Sequence, residues 1–273
     1  MINTRIMSSL NPLNSSRGLF LSLYGSAAMF FPFLAVYFEG RGLTGKEIGL
    51  LVAIPPAVSI LAGPLWGAAA DAGGSHRRLM RLALAGSLLL ILPLPFASGL
   101  LFSGLLLGLH AAFFMSLPAF VDHTALQNLG DRPEGYGRLR MWGSIGWGLS
   151  GLLLAPVLAR YGLAWIFFGH AAALALGLLA TLGLPAGRAQ PPSPQPARRP
   201  PPMLAMRRFA GGFRPLFADR RWQAFLLLIF TAGFGNAVGG HFLFLYLGSL
   251  SAGPALMGLT LALGVLSELV MLA

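Results

Sequence analysis

Apolar residues run along this chain in stretches long enough to cross a bilayer, which takes about 20 of them in a helix. Gly18–Phe38 and Ile48–Ala70 meet that length, the second despite Pro55, Pro56 and Pro64. Leu82–Val121 is too long for one span and holds no Asp, Glu, Lys or Arg. Pro93, Pro95 and Ser98-Gly99 mark a turn inside it, so it predicts a helical hairpin with a very short outer loop. Met141–Ala159 and Leu163–Leu184 follow, split by Arg160-Tyr161-Gly162. Gln223–Leu247 and Pro254–Ala273 complete eight predicted spans. The expected fold class is therefore an all-α integral membrane protein.

The segments between the runs sort by charge. With the N-terminus placed inside, Arg5 and Arg17, then Arg77, Arg78 and Arg81, then Arg132, Arg138 and Arg140, then eight arginines from Arg188 to Arg221 fall on one side. Only Arg41, Lys46 and Arg160 fall on the other, so sixteen of the 19 basic residues lie on the inner face. Basic residues are retained on the cytoplasmic side, and this asymmetry predicts a multi-pass protein of the inner (cytoplasmic) membrane with its N-terminus in the cytoplasm. The net charge of +11 is thus a topology signal, and nucleic acid is not an expected partner.

Composition agrees. Hydrophobic residues make up 56% and charged residues 10%, against about 25% charged in a soluble domain. Mean hydropathy is +0.72. The absence of cysteine excludes disulfides and thiolate metal sites. Met1–Arg17 leads into a full-length apolar run without a small-residue cleavage pattern, which predicts a retained anchor as the first helix.

The domain plan expected is a six-helix bundle over 1–184, a basic linker over 185–222, and the first two helices of a second bundle over 223–273. Pro185–Pro202 holds eight prolines and reads as an extended linker. Met203–Trp222 mixes Arg with Leu, Met and Phe; it suits a helix on the anionic inner leaflet or an ordinary polar loop. The last apolar run stops at Ala273 without a polar cap, which reads as a chain broken off after its eighth helix.

Ionisable groups inside a bilayer are expensive and point to function. Glu268 lies in the last span among Leu, Val and Met. A carboxyl in such surroundings favours its neutral form unless paired, as a proton-loading group requires. A helix–helix hydrogen bond is the alternative role. Asp122 closes span four and Arg140 opens span five, at one membrane depth; the two are expected to pair with each other or with a polar solute. Trp147 stands seven residues, nearly two turns, after Arg140 and so on the same face, where an aromatic ring suits a sugar or an aromatic solute. His110, His170 and His241 within spans four, six and seven, with Asn236, are candidates for a polar cavity or for interhelical hydrogen bonds. Gly143, Gly146, Gly148 and Gly151 predict close helix approach in span five. Gly67, Asp71, Gly74 and Arg77, between spans two and three, read as a tight crossing with a charge clamp between moving helices.

Those four residues resemble the loop 2–3 motif of the major facilitator superfamily, with Ala72 standing where that motif carries a basic residue. Gly135–Trp147 is similar to the start of span five in lactose permease and in the phenylpropionic acid permease group, and Phe33–Gly49 resembles spans one to two of the latter group. The resemblance implies a substrate site at Asp122, Arg140 and Trp147, with proton coupling at Glu268. The acidic residues of span seven in lactose permease are absent; Asn236 and His241 are the polar groups there. The implied function is a proton-coupled symporter of a small organic solute by alternating access, for an aromatic acid of phenylpropionate type or for a saccharide or nucleoside. The partners expected are that solute, protons and lipid, with a monomer as the assembly. The rival class is a non-transporting receptor or an inactive transporter fragment. No metal-ligand cluster, nucleophile motif or phosphate-cradling loop is present, so neither a cofactor nor an enzymatic activity is expected.

Overall fold

The computed structural model describes residues 11–71, 75–184 and 217–272. Nine α-helices run through them: α1 (Pro12–Gly40), α2 (Gly45–Asp71), α3 (His76–Ile91), α4 (Leu100–Phe114), α5 (Leu117–Leu129), α6 (Tyr136–Tyr161), α7 (Trp165–Ala180), α8 (Arg220–Ser249) and α9 (Pro254–Leu272). No strand occurs among the described residues. Among the described residues, seven spans are long and apolar enough to cross a membrane, with α4 and α5 together forming one of them; Pro254–Glu268 is a shorter apolar helix. This is an all-α membrane architecture. In lipid only internal pairing satisfies the backbone, and a helix does so within one segment.

Local chemistry sets several boundaries. Asn11 caps α1, its Oδ1 accepting from the Leu13 amide at 3.0 Å, and Pro12 fills the first turn where no amide partner is needed. Thr44 and Glu47 form a reciprocal capping box before α2: Glu47 Oε2 accepts from the Thr44 amide at 2.8 Å, and the Thr44 hydroxyl accepts from the Glu47 amide at 3.4 Å. The hairpin turn expected between spans three and four is present as a 3₁₀ turn at Leu94–Phe96 followed by Gly99 at φ +75°, a conformation that favours glycine.

The fourth span departs from the sequence expectation. It continues to Leu129 and is broken at Met115 and Ser116 into α4 and α5. Pro118 stands in the first turn of α5. Its missing amide cannot bond back to Phe114, so the helix restarts there.

The helix α1 is the most buried of the spans and packs against α6, α7 and α5. Small residues permit this. A Cβ added at Gly146 would overlap the Leu21 backbone of α1, and one at Gly25 would lie 2.7 Å from Ser150 Oγ. The same helix α6 meets α9 at Gly151, where an added Cβ would stand 2.8 Å from the Gly258 carbonyl. The glycine run of span five therefore does what its composition predicts. At Gly67, by contrast, an added Cβ meets nothing within 4 Å, so among the described residues no tight crossing forms there. Large apolar side chains such as Ile60, Leu61 and Leu101 face outward, the last 87% exposed, as lipid contact requires.

Polar ties close both ends of the bundle. At one end Tyr37 Oη donates to the Pro95 carbonyl and Arg41 Nη2 to the Ala97 carbonyl, both at 3.2 Å. At the other, Arg77 Nη1 donates to the Leu184 carbonyl at 2.8 Å, and Arg81 reaches the Thr181 hydroxyl at 2.9 Å and carbonyl at 3.0 Å. These arginines of α3 reach carbonyls just past the end of α7, where helical pairing runs out, and the Thr181 carbonyl also accepts from the Leu184 amide at 3.3 Å. Arg77 of the loop 2–3 segment also holds the end of span six. Gly74, Ala72 and most of the linker, including Met203–Arg214, lie outside the described residues. Contacts divide the chain into two compact units, Met1–Gly187 with His241–Ala273, and Arg188–Gly240. That division falls within α8, whereas the sequence places the boundary at the linker.

Candidate functional site

A cavity of about 340 Å³ opens between α1, α6 and α9. From α1 comes Tyr24; from α6 come Arg140, Gly143, Ser144 and Trp147; from α9 come Thr260, Leu261, Gly264, Val265 and Glu268. Arg140, Ser144 and Trp147 share one face of α6 because their spacings of four and seven residues approximate one and two turns. Three of the four residues singled out for solute and proton chemistry therefore meet in one chamber: Arg140, Trp147 and Glu268.

The fourth, Asp122, is not among the lining residues. The expected Asp122–Arg140 pair is not formed. Asp122 Oδ1 accepts a hydrogen bond from Tyr136 Oη at 2.8 Å, while the Arg140 guanidinium carbon lies 3.9 Å from the centroid of the Tyr24 ring. Tyr136 is one turn before Arg140 on α6, so its hydroxyl reaches the carboxylate first. Glu268 Oε1 accepts from Ser144 Oγ at 3.2 Å. Among the described residues, no ion pair within 4.0 Å joins Arg140 to either carboxylate.

The histidines lie elsewhere. His110 and His170 are almost wholly buried, with their Nε2 atoms 3.1 Å apart, and His170 Nδ1 lies 2.8 Å from the Ser26 carbonyl. A carbonyl only accepts, so His170 carries its proton on Nδ1. In the neutral ring its Nε2 is then an acceptor, and His110 must donate from Nε2. Phe30 and Phe114 each pack on both rings, and Phe167 packs against Phe30. It ties α1, α4 and α7 together and lines no part of the chamber above. His241 meets Phe31 edge-on at 6.3 Å, and its Nδ1 is buried without a hydrogen-bond partner. Asn236 belongs to the second unit and is exposed. Within the first unit, His110, His170 and His241 line neither hollow described for it.

Tyr24, Tyr136 and Ser144 were not singled out by sequence. The one signal available was spacing: Tyr136 and Ser144 flank Arg140 at minus four and plus four on one helix face. Nothing in the sequence marks Tyr24, which comes from a different helix. A second, smaller hollow of about 280 Å³ lies by Asn14, Arg17, Gly18, Leu21 and Trp142.

A model of the MFS_1 like family matches residues 14–273. Among curated proteins, the chain is 30% identical over 156 residues to a maltose permease of Geobacillus stearothermophilus, covering 57% of this chain and 39% of the relative. It is 26% identical over 258 residues to the uncharacterized transporter YwbF of Bacillus subtilis, covering 93% and 60%. It is 32% identical over 196 residues to the multidrug resistance protein MdtG of a Rahnella species, covering 63% and 44%. The chain thus spans 39% to 60% of the length of these relatives. No solved structure gives a significant match.

Proposed function

The chain belongs to the MFS_1 like family, and from that premise we propose that it is a secondary active transporter taking a small organic solute into the chamber between α1, α6 and α9. The observation that carries this reading is the convergence of a guanidinium, an indole and a carboxyl from two helices on one cavity. Arg140 offers forked donors to a carboxylate or a hydroxyl pair. Trp147 offers a flat apolar face. Glu268 loads the driving proton and reports solute binding through Ser144. Transport then proceeds by alternating access, with two bundles rocking about a midplane site. The charge asymmetry of the loops supports the inner membrane and a cytoplasmic N-terminus.

An aromatic acid of phenylpropionate type fits Arg140 beside Trp147. A saccharide is the second reading, favoured by the Ser144 and Thr260 hydroxyls in the same wall and by a relative named for maltose. Uptake of labelled 3-phenylpropionate and of labelled maltose into vesicles holding the full chain, with and without an imposed pH gradient, separates the two. Glu268→Gln is expected to abolish gradient-driven accumulation while leaving exchange. Unchanged accumulation in that variant removes Glu268 from the mechanism.

A further inference from the structure

We propose that Tyr24 and Tyr136 are positioning residues that keep the charges of Arg140 and Asp122 apart, so that the guanidinium meets an anionic solute without an internal counter-ion. The proposal rests on the reading of the chamber as a solute site. An arginine and a carboxylate at one depth of a membrane protein would be expected to form a forked pair. Here each has an aromatic partner instead. Tyr136 donates its hydroxyl proton to Asp122 Oδ1 at 2.8 Å. Tyr24 receives Arg140 on its ring face at 3.9 Å.

The two contacts differ in what they leave open. A guanidinium stacked on a ring uses its flat face, and its N–H groups, which lie in the plane, stay available to a ligand. A carboxylate in place of the ring would occupy those same N–H groups. The stacking is built into the backbone: a Cβ at position 143 would stand 2.7 Å from Arg140 Nη1 and 2.8 Å from Tyr24 Cδ2. Glycine at that position leaves the room the stack requires. The two tyrosines are also joined through Phe20, which lies parallel to Tyr24 at 6.3 Å and edge-on to Tyr136 at 6.2 Å. Asp122 and Arg140 are thus held by two tyrosines of one aromatic cluster.

Phenylglyoxal, which modifies free guanidinium groups, tests this on the full chain in detergent, with the rate at Arg140 read by peptide mass spectrometry and exposed Arg160 as the reference. Tyr136→Phe is expected to slow modification of Arg140 about fivefold, because Asp122 is released to pair with it. Adding Asp122→Asn to that variant is expected to restore the wild-type rate. Asp122→Asn alone, a near-isosteric change, is expected to leave the Arg140 rate within about twofold, because the pair does not exist in the parent. Tyr24→Phe, which keeps the ring, is expected to match the parent, and Tyr24→Leu to slow Arg140 unless Asp122→Asn is present. The proposal is overturned if Tyr136→Phe reacts like the parent, if Asp122→Asn fails to rescue it, or if Asp122→Asn alone speeds Arg140 severalfold. These rates need no solute. A parent chain that shows them yet takes up neither 3-phenylpropionate nor maltose keeps the tyrosines in this role and loses the transport reading.

Discussion

Two polar clusters sit in the same bundle and are built on opposite plans. His110 and His170 satisfy each other and the Ser26 carbonyl inside a shell of phenylalanines, with almost no exposed surface. Arg140 and Glu268 share a chamber of about 340 Å³, one held by a ring face and the other by a single hydroxyl, each with hydrogen-bonding capacity to spare. A buried polar group is therefore not a site merely because lipid makes it expensive. What separates the clusters is the partner inventory: the closed one joins helices, and the open one is equipped to receive something.

That contrast can be broken most sharply at Arg140. Arg140→Ala is expected to reduce solute affinity by roughly ten- to a hundredfold or more, the range for losing hydrogen bonds to a charged group, with little change in the melting temperature. Equilibrium binding and thermal unfolding of the detergent-solubilised chain check both halves. The reverse is expected at the sealed pair. His170→Phe leaves the His110 donor buried without an acceptor, at a cost of about 1–3 kcal/mol, seen as a lower melting temperature with uptake near normal. If that variant instead lost gradient-driven uptake at unchanged stability, the pair would be functional and the contrast would fail. His110→Phe combined with His170→Phe should recover part of the lost stability, because removing both partners strands no polar group. The smallest effect is expected at Ser144→Ala, which removes one hydrogen bond from Glu268 and should change the apparent solute affinity by about two- to tenfold.

The sequence revealed most where one helix carries the information. Spans follow from apolar run length, the Pro93–Gly99 turn from its punctuation, and the common face of Arg140 and Trp147 from a spacing of seven. It was silent where the partner lies far along the chain. Ser144 and Glu268 are 124 residues apart, and His110 and His170 are 60 apart; periodicity within one helix says nothing about which neighbour it faces. The break at Met115–Ser116 was hidden by the uniform apolarity of Leu82–Val121, where Pro118 was overshadowed by the stronger signal at Pro93 and Pro95. The contact of Arg77 with the Leu184 carbonyl, 107 residues away, was equally invisible to local reading.

The crossing of α6 and α9 has a mechanical consequence. Where Gly151 and Gly258 meet, main chain bears on main chain with Ala155 and Leu261 beside it, so little side-chain bulk opposes a change of helix angle. Glu268 stands ten residues beyond that fulcrum, roughly 15 Å along the axis. A tilt of about 10° would swing its carboxyl by some 2.6 Å, on the order of a hydrogen-bond length. The crossing thus acts as a bare bearing, and small rotations there are read out at the far end of the lever as bonds made or lost.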